Sequence, residues 1–107
     1  VPAKPGKYKA KKLGSLQFCT IHWQWCSVTS ADYNSEKNEL TVLAYSKMYV
    51  ISNFTGHNFW EGQMKTYNLS GVKQREAICY KTNSSWFMTD EYRKGIGGGN
   101  LYEIKLK

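Results

Sequence analysis

The stretch that decides the fold is SADYNSEKNELTVLAYSKMYVIS, residues 30–52. Its three short segments, 30–34, 40–45 and 48–51, are each followed by a polar turn or bend. Asn and Ser are typical of such turns because they hydrogen-bond their own backbone. The final third of the chain repeats the order at residues 76–80, 86–92 and 101–104.

Matching positions in the two copies are separated by roughly 46 to 53 residues, which is the long end of the propeller-blade range. No segment shows a sustained helical period with caps, so little helix is expected. The sequence therefore predicts an all-β fold of antiparallel four-stranded blades, about two blades of a β-propeller.

The repeat also predicts how the chain is divided. Residues 1–107 form a single domain or a propeller fragment, in which 1–26 end a preceding blade and supply a connecting strand, 27–70 form the first full blade and 71–107 the last. A blade cannot bury both faces of its small sheet without neighbours. The expected partners are the remaining blades of the same propeller or copies of this chain.

Within this scheme, weak alternation in residues 7–17 predicts the outer strand of a preceding blade. Residues 18–28 alternate apolar and polar side chains and predict a strand with one apolar face. Residues 63–69 are expected to form the outer strand of the first blade. The glycine-rich residues 95–100 predict a hairpin loop, and the loop lacks the lysine and following helix of a phosphate-binding loop.

The net charge of +7 is concentrated at the start of the chain. Five lysines lie in the first dozen residues: Lys4, Lys7, Lys9, Lys11 and Lys12. Such an arm attracts nucleic acid or anionic glycan, or it is a solubilising edge that meets an acidic partner. The arginines are only Arg75 and Arg93, which is poor for phosphate or guanine recognition, so nucleic acid is the less favoured partner. No apolar run reaches the length of about eighteen residues that a membrane span needs.

The three cysteines form neither a CxxC pair nor a metal-ligand spacing. Cys19 and Cys26 could pair across a hairpin, which would leave Cys79 buried in the first strand of the second copy. Zinc is disfavoured because the two histidines, His22 and His57, are far apart. No cofactor is expected from these residues.

The two copies, with the joining segment 52–59 and the stretch from residue 75 to 104, resemble the C-terminal blades of secreted β-propeller proteins of the Bacteroidetes kind. The resemblance covers about four fifths of the chain, and residues 18–26 depart from it. It implies an extracellular or cell-surface location. Because propellers have binding, lectin, lactonase and scaffold roles alike, it limits the function without deciding it.

Candidate ligand-binding carboxylates are Asp32, Glu76, Asp90 and Glu91. Asp32 and Glu76 lie near matching points of the two copies, and Glu76 with Asp90 and Glu91 could form a cluster able to bind calcium or a sugar hydroxyl. The alternative is that Glu76 and Glu91 hydrogen-bond neighbouring backbone, or pair with basic residues and hold adjacent blades in register; those basic residues are Arg75, Arg93 and Lys94. An acid/base pair for glycoside cleavage would need a fixed separation that sequence cannot supply.

Trp60, in a loop flanked by glycines, is the aromatic residue expected to stack on a sugar ring, whereas Trp86 is expected in the core. The sequence thus favours a non-catalytic extracellular binding or scaffold module of a β-propeller. Two alternatives stay open: an oligomeric carbohydrate-binding lectin with two blades per chain, and a fragment of a propeller hydrolase or lactonase.

Overall fold

Two antiparallel sheets make up the fold in a computed structural model that describes residues 4–16, 27–69, 75–91, 95 and 97–106. Sheet A has the strand order β1-β2-β3-β4, and sheet B has the order β5-β6-β7. The strands are β1 Val28–Asn34, β2 Glu39–Ala44, β3 Lys47–Ser52, β4 Gln63–Asn68, β5 Arg75–Thr82, β6 Ser85–Asp90 and β7 Leu101–Lys105. One 3₁₀ turn, Phe59–Glu61, precedes β4.

Sheet A is buried on both faces at its centre. Strands β2 and β3 are nearly continuous apolar runs, and both faces of each strand are covered. Val42 and Tyr49 point to one face, where Phe54 and Leu16 pack on them. Leu43 and Met48 point to the other face, which receives sheet B. A strand that is buried on both faces needs apolar side chains at successive positions. For this reason β2 and β3 do not alternate apolar and polar residues.

Within the described part of the chain, sheet B buries one face. Ile78, Trp86 and Met88 pack on sheet A, and Trp86 is 1% exposed. The residues between them along each strand are exposed or half-buried, as the pattern of β5 and β7 shows. Apart from the irregularities of β5 between Arg75 and Ala77 and between Tyr80 and Thr82, the side chains of these strands alternate between a covered face and an open face.

The joint between the sheets is a row of side-chain contacts from β1 to the edge of β5. Ser30 Oγ accepts a hydrogen bond from the backbone N–H of Ile78 at 3.1 Å, and Asp32 Oδ2 accepts one from Tyr80 at 2.8 Å. In both pairs the residues are 48 positions apart. A third contact at nearly the same separation joins Asn34 Nδ2 to Asn83 Oδ1 at 3.0 Å. Strand β5 thus runs beside β1 in the same direction, and side chains satisfy its edge amides.

The expectation of an all-β fold with antiparallel sheets is confirmed, and so is the expected outer strand near residues 63–69, which is β4. The polar turns after residues 34 and 82 connect β1 to β2 and β5 to β6. Sheet B has three strands among the described residues, not the four expected of a blade. Both sheets fall within the expected ranges 27–70 and 71–107, whose division into blades stays a prediction.

Two expectations are wrong. Residues 7–16 of the expected outer strand form no strand, because Lys side chains alternate with few apolar ones and nearly the whole segment is exposed. Cys79 is exposed, not buried, because it lies on the open face of sheet B. The expected strand at 18–26 and the Cys19–Cys26 pair lie outside the described residues.

The described residues contain no helix that is long and apolar enough to cross a membrane.

Candidate functional site

A cavity of about 280 Å³ opens at the turn end of sheet A. We call it the aromatic pocket, and its walls are Leu13, Tyr33, Leu40, Phe54, His57 and Phe59. Four of these six residues carry rings, and none of the six carries a carboxylate or an ammonium group. The cavity approaches the lower end of the size range of small-molecule sites and is lined in the way such sites usually are.

Asn38 holds the strand side of the aromatic pocket. Its Oδ1 accepts a hydrogen bond from Tyr33 Oη at 2.6 Å, and its Nδ2 donates one to the carbonyl of Phe54 at 2.9 Å. Asn38 has a φ of 49°, a left-handed conformation that Asn adopts more readily than most residues. One side chain thus fixes two walls of the pocket relative to each other.

The segment from residue 53 to 62 forms the other side. Asn53 also has a left-handed φ, 58°, and its Nδ2 donates to Gln63 Oε1 at 2.6 Å. Gly62 follows the 3₁₀ turn, and a Cβ there would lie 2.6 Å from the carbonyl oxygen of Ser52. The backbone N–H of Gly62 bonds the carbonyl of Phe59 at 3.1 Å. These constraints pre-form the loop that carries Phe59 and His57.

His57 and Tyr33 form the rim of the pocket. Their rings meet edge to face, with centroids 6.4 Å apart and an interplanar angle of 63°. Tyr33 is 43% exposed, so the pair is open to solvent on one side. Such an arrangement presents aromatic faces and edges to a flat ligand.

Trp60, the tryptophan expected to bind a ligand, does not line the aromatic pocket. Its ring lies on Gly14, where a Cβ would collide with it, and it meets the ring of Phe59 edge to face at 5.2 Å. It is 36% exposed. Trp60 therefore anchors the N-terminal segment that brings Leu13 to the pocket.

Asp32 lies in the joint between the sheets. Besides the Tyr80 amide, its Oδ1 accepts the backbone N–H of Tyr33 at 3.1 Å. Both carboxylate oxygens thus bond backbone N–H groups, and the side chain connects β1 to β5.

Asp90 is buried, and its carboxylate holds the end of sheet B. Its Oδ1 accepts the backbone N–H of Asn100 at 2.9 Å, and its Oδ2 accepts Tyr102 Oη at 2.9 Å. The guanidinium of Arg75 lies 3.8 Å from Oδ2 and 5.8 Å from the ring centre of Tyr102. These contacts close the hairpin between β6 and β7.

Glu76 and Glu91 lie close to Asp90 in the strand pairing, because Arg75 is the cross-strand partner of Asp90. Both glutamates are exposed, and Glu76 occupies an irregularity between Arg75 and Ala77. The described residues contain no group of three or more His, Cys, Asp or Glu side chains arranged to hold a metal ion. Asp32 and Trp60 lie at other places in the fold.

A buried hydroxyl network that the sequence did not indicate lies behind the joint. Thr41 Oγ1 accepts a hydrogen bond from Trp86 Nε1 at 2.9 Å and donates one to Tyr80 Oη at 2.7 Å. Burial is the main cause that raises the pKa of Tyr80 to about 12, and the hydrogen bond from Thr41 opposes the rise. Burial also raises the pKa of Tyr49 on the opposite face of sheet A.

The open face of sheet B mixes apolar and charged side chains. Leu101 is 66% exposed and Cys79 pairs across the strands with Phe87. At one edge of this face, Glu103 forms ion pairs with Lys81 and Lys105. Hydrogen bonds from Lys81 and then from Lys105 lower the pKa of Glu103.

The loop that the sequence singled out for Trp60 also supplies a wall of the pocket. Trp60 was the aromatic residue expected to bind a ligand, and its neighbour Phe59 is the one that lines the cavity. Tyr33, Leu40 and Leu13 come from three other segments. Their convergence depends on the sheet and on the path of the N-terminal segment, which local patterns do not encode.

No protein-family model, no curated protein and no solved structure matches this chain. The structure defines its class as an all-β protein of two packed antiparallel sheets. Its function has to be argued from the open face and the pocket.

Proposed function

We propose that this chain is a non-catalytic binding or scaffold module of an extracellular β-propeller. In this proposal its two sheets are consecutive blades, and the open face of sheet B receives a further β-sheet. The remaining blades of the same propeller are the partner.

The observation that carries the proposal is the unequal covering of the two sheets. Sheet A is buried on both faces, by sheet B and by the segment that contains Phe54. Sheet B is buried on one face, and its other face exposes Leu101 at 66% and leaves Phe87 half-buried. A third sheet on that face would give sheet B the two-sided covering that sheet A already has.

The meander order within each sheet supports the same proposal. Each strand pairs with the next along the chain, and β5 starts beside β1 at a nearly constant separation of 48 or 49 residues. Sequential four-stranded meanders that stack side by side are the unit of propellers. The proposal of a non-catalytic role is supported by Asp32 and Asp90, whose oxygens are engaged by backbone and side-chain donors.

The test measures mass in solution together with the accessibility of Cys79. Light scattering gives the mass of the chain alone and of its mixture with a longer polypeptide that carries further blades. Maleimide labelling followed by peptide mapping reports whether the Cys79 thiol, exposed in the single chain, becomes covered. We expect a complex in which Cys79 labelling slows at least several-fold.

The variant Leu101→Glu places a charge on the open face, at the start of the edge strand β7, and is expected to abolish the complex and restore labelling. Leu106→Glu is the matched control, because Leu106 is also exposed, at 38%, but lies beyond the end of β7. A complex that survives Leu101→Glu, or a chain that binds neither the longer polypeptide nor its own copies, contradicts the proposal.

The second candidate is a sugar-binding lectin in which copies of this chain cover the open face. The observation that favours it is Trp60, which is partly exposed beside an open loop. Light scattering would then show an oligomer of the chain alone, and a glycan array would show binding that Trp60→Ala removes. An array without signal for the oligomer contradicts the lectin.

A further inference from the structure

We propose that the aromatic pocket binds a small aromatic carboxylate, with the ring inside the cavity and the carboxylate directed toward the N-terminal lysines. This site is separate from the open face of sheet B, and it does not depend on whether that face binds another sheet.

The size of the pocket sets the size of the ring. A cavity of roughly 150 Å³ with apolar walls accepts benzene. The aromatic pocket, at about 280 Å³, has room for a bicyclic ring such as indole. Larger drug-sized molecules generally occupy pockets of about 300 Å³ or more.

The walls determine the polarity of the buried part of the ligand. Leu13, Leu40, Phe54 and Phe59 present carbon, and the Tyr33 hydroxyl is already bonded to Asn38. A sugar would lose hydrogen bonds to water there without replacing them, which is costly. A flat ring gains burial and edge-to-face contacts with the rim pair.

The charge of the N-terminal segment favours an anion as the polar part of the ligand. Leu13 lines the cavity, and Lys11 and Lys12 directly precede it, both exposed. Residues 4–16 contain five lysines and no acidic residue. These lysines would repel an ammonium ligand and attract a carboxylate.

The pocket is pre-formed, so binding requires little ordering of the protein. Asn38 and Asn53, the non-glycine residues with a left-handed φ in the part of the chain that the structure describes, both brace its walls. Left-handed conformations away from glycine are often found at ligand sites. A rigid pocket retains more of the contact energy as affinity.

Calorimetric titration with three probes tests ring and charge separately: indole-3-acetate, indole and tryptamine at neutral pH and low salt. Saturable binding of indole-3-acetate with a dissociation constant below about 1 mM is expected. Indole should bind roughly two- to fivefold more weakly, and tryptamine more weakly still. Absence of binding, or tryptamine binding as tightly as indole-3-acetate, overturns the proposal.

The variant Leu13→Glu tests the location of the site. It replaces an apolar wall by an anion and is expected to weaken indole-3-acetate at least tenfold. Tyr8→Glu is the matched control, because Tyr8 is similarly exposed, 60% against 53%, on the same segment but does not line the pocket. Equal affinities for the two variants place the probe elsewhere and overturn the proposal.

Two double variants test whether the N-terminal lysines attract the carboxylate of the ligand. Lys11→Gln with Lys12→Gln is expected to reduce the affinity of indole-3-acetate to that of indole, and to leave indole unchanged. Lys4→Gln with Lys7→Gln removes the same charge farther from Leu13 and is expected to have the smaller effect. The reverse order of the two effects contradicts the proposed direction of the carboxylate.

Discussion

The carboxylate of Asp32 in β1 accepts the backbone N–H of Tyr80 in β5 at 2.8 Å, across 48 residues of chain. An edge strand normally pairs with another backbone or faces water. Here β5 is satisfied by a side chain of the neighbouring sheet, and Ser30 repeats the contact two residues earlier. The two sheets are thus connected by acceptors that particular residues supply.

The first prediction concerns this contact. Asp32→Ala leaves the Tyr80 amide without its acceptor and is expected to lower the free energy of unfolding by about 1–3 kcal/mol. Asp32→Asn keeps an oxygen acceptor and should cost less. Urea unfolding measures both, with Glu36→Ala in the exposed turn as the control. If Asp32→Ala unfolds like the control, the contact does not stabilise the joint.

The second prediction concerns the hydroxyl of Thr41. Thr41→Val keeps the shape of the side chain but leaves Trp86 Nε1 without the acceptor seen at 2.9 Å, at a cost of about 1–3 kcal/mol. In a Trp86→Phe background the donor is absent, so the same substitution should cost less. A double-mutant cycle in urea gives the coupling energy. A coupling energy near zero would mean that the bond contributes nothing.

The third prediction follows from the raised pKa of Tyr80. Its folded pKa of about 12 exceeds the ordinary value of 10.0, so the unfolded chain loses this proton first. The corresponding stability is present below pH 10 and is lost as the pH rises toward about 12. Tyr80→Phe should remove the part of this loss of stability that comes from Tyr80. The part that comes from Tyr49 should stay. Urea unfolding at several alkaline pH values, with phenolate absorbance, provides the measurement, and an unchanged decline in Tyr80→Phe argues against the assignment.

The fourth prediction concerns Asp90 and calcium. Asp90→Asn breaks a buried charge pair with Arg75, and losing one partner of such a pair costs about 3–5 kcal/mol.

Because Asn100 and Tyr102 already donate to the two carboxylate oxygens of Asp90, calcium chloride should raise the thermal midpoint of the protein no more than magnesium chloride does. Glu76→Gln with Glu91→Gln is the control for the neighbouring carboxylates. A calcium-specific rise that this control removes would support the calcium cluster expected from the sequence.

Strand positions were largely predictable because the chain shows them locally. The apolar segments around Leu43 and Val50, and the Asn-rich turn between β1 and β2, are short-range signals of strand and turn. The repeat indicated that two similar units follow one another. The number of strands in sheet B was less predictable, since the segment before β5 gives no such alternation.

The roles of individual polar residues were not predictable for a different reason. Asp32 and Asp90 were selected as ligand-binding carboxylates because of their residue type and position. Their hydrogen bonds to Tyr80 and Tyr102 depend on how strands distant in sequence meet. The same holds for Cys79, whose exposure depends on which face of sheet B is covered.

Ser30 and Asp32, the side-chain acceptors that join sheet A to sheet B, have no equivalent on the open face of sheet B. The third cross-strand pair from the hairpin turn is Asp32 with Thr41 in sheet A and Cys79 with Phe87 in sheet B, so Cys79 occupies the place of Asp32. In the same way Ser30 corresponds to Ala77. Head-to-tail stacking of identical units can otherwise grow into open filaments. With alanine and a thiol in place of hydroxyl and carboxylate, the same seam cannot be repeated on the open face, so the sheet proposed to cover that face must be joined by contacts of a different kind.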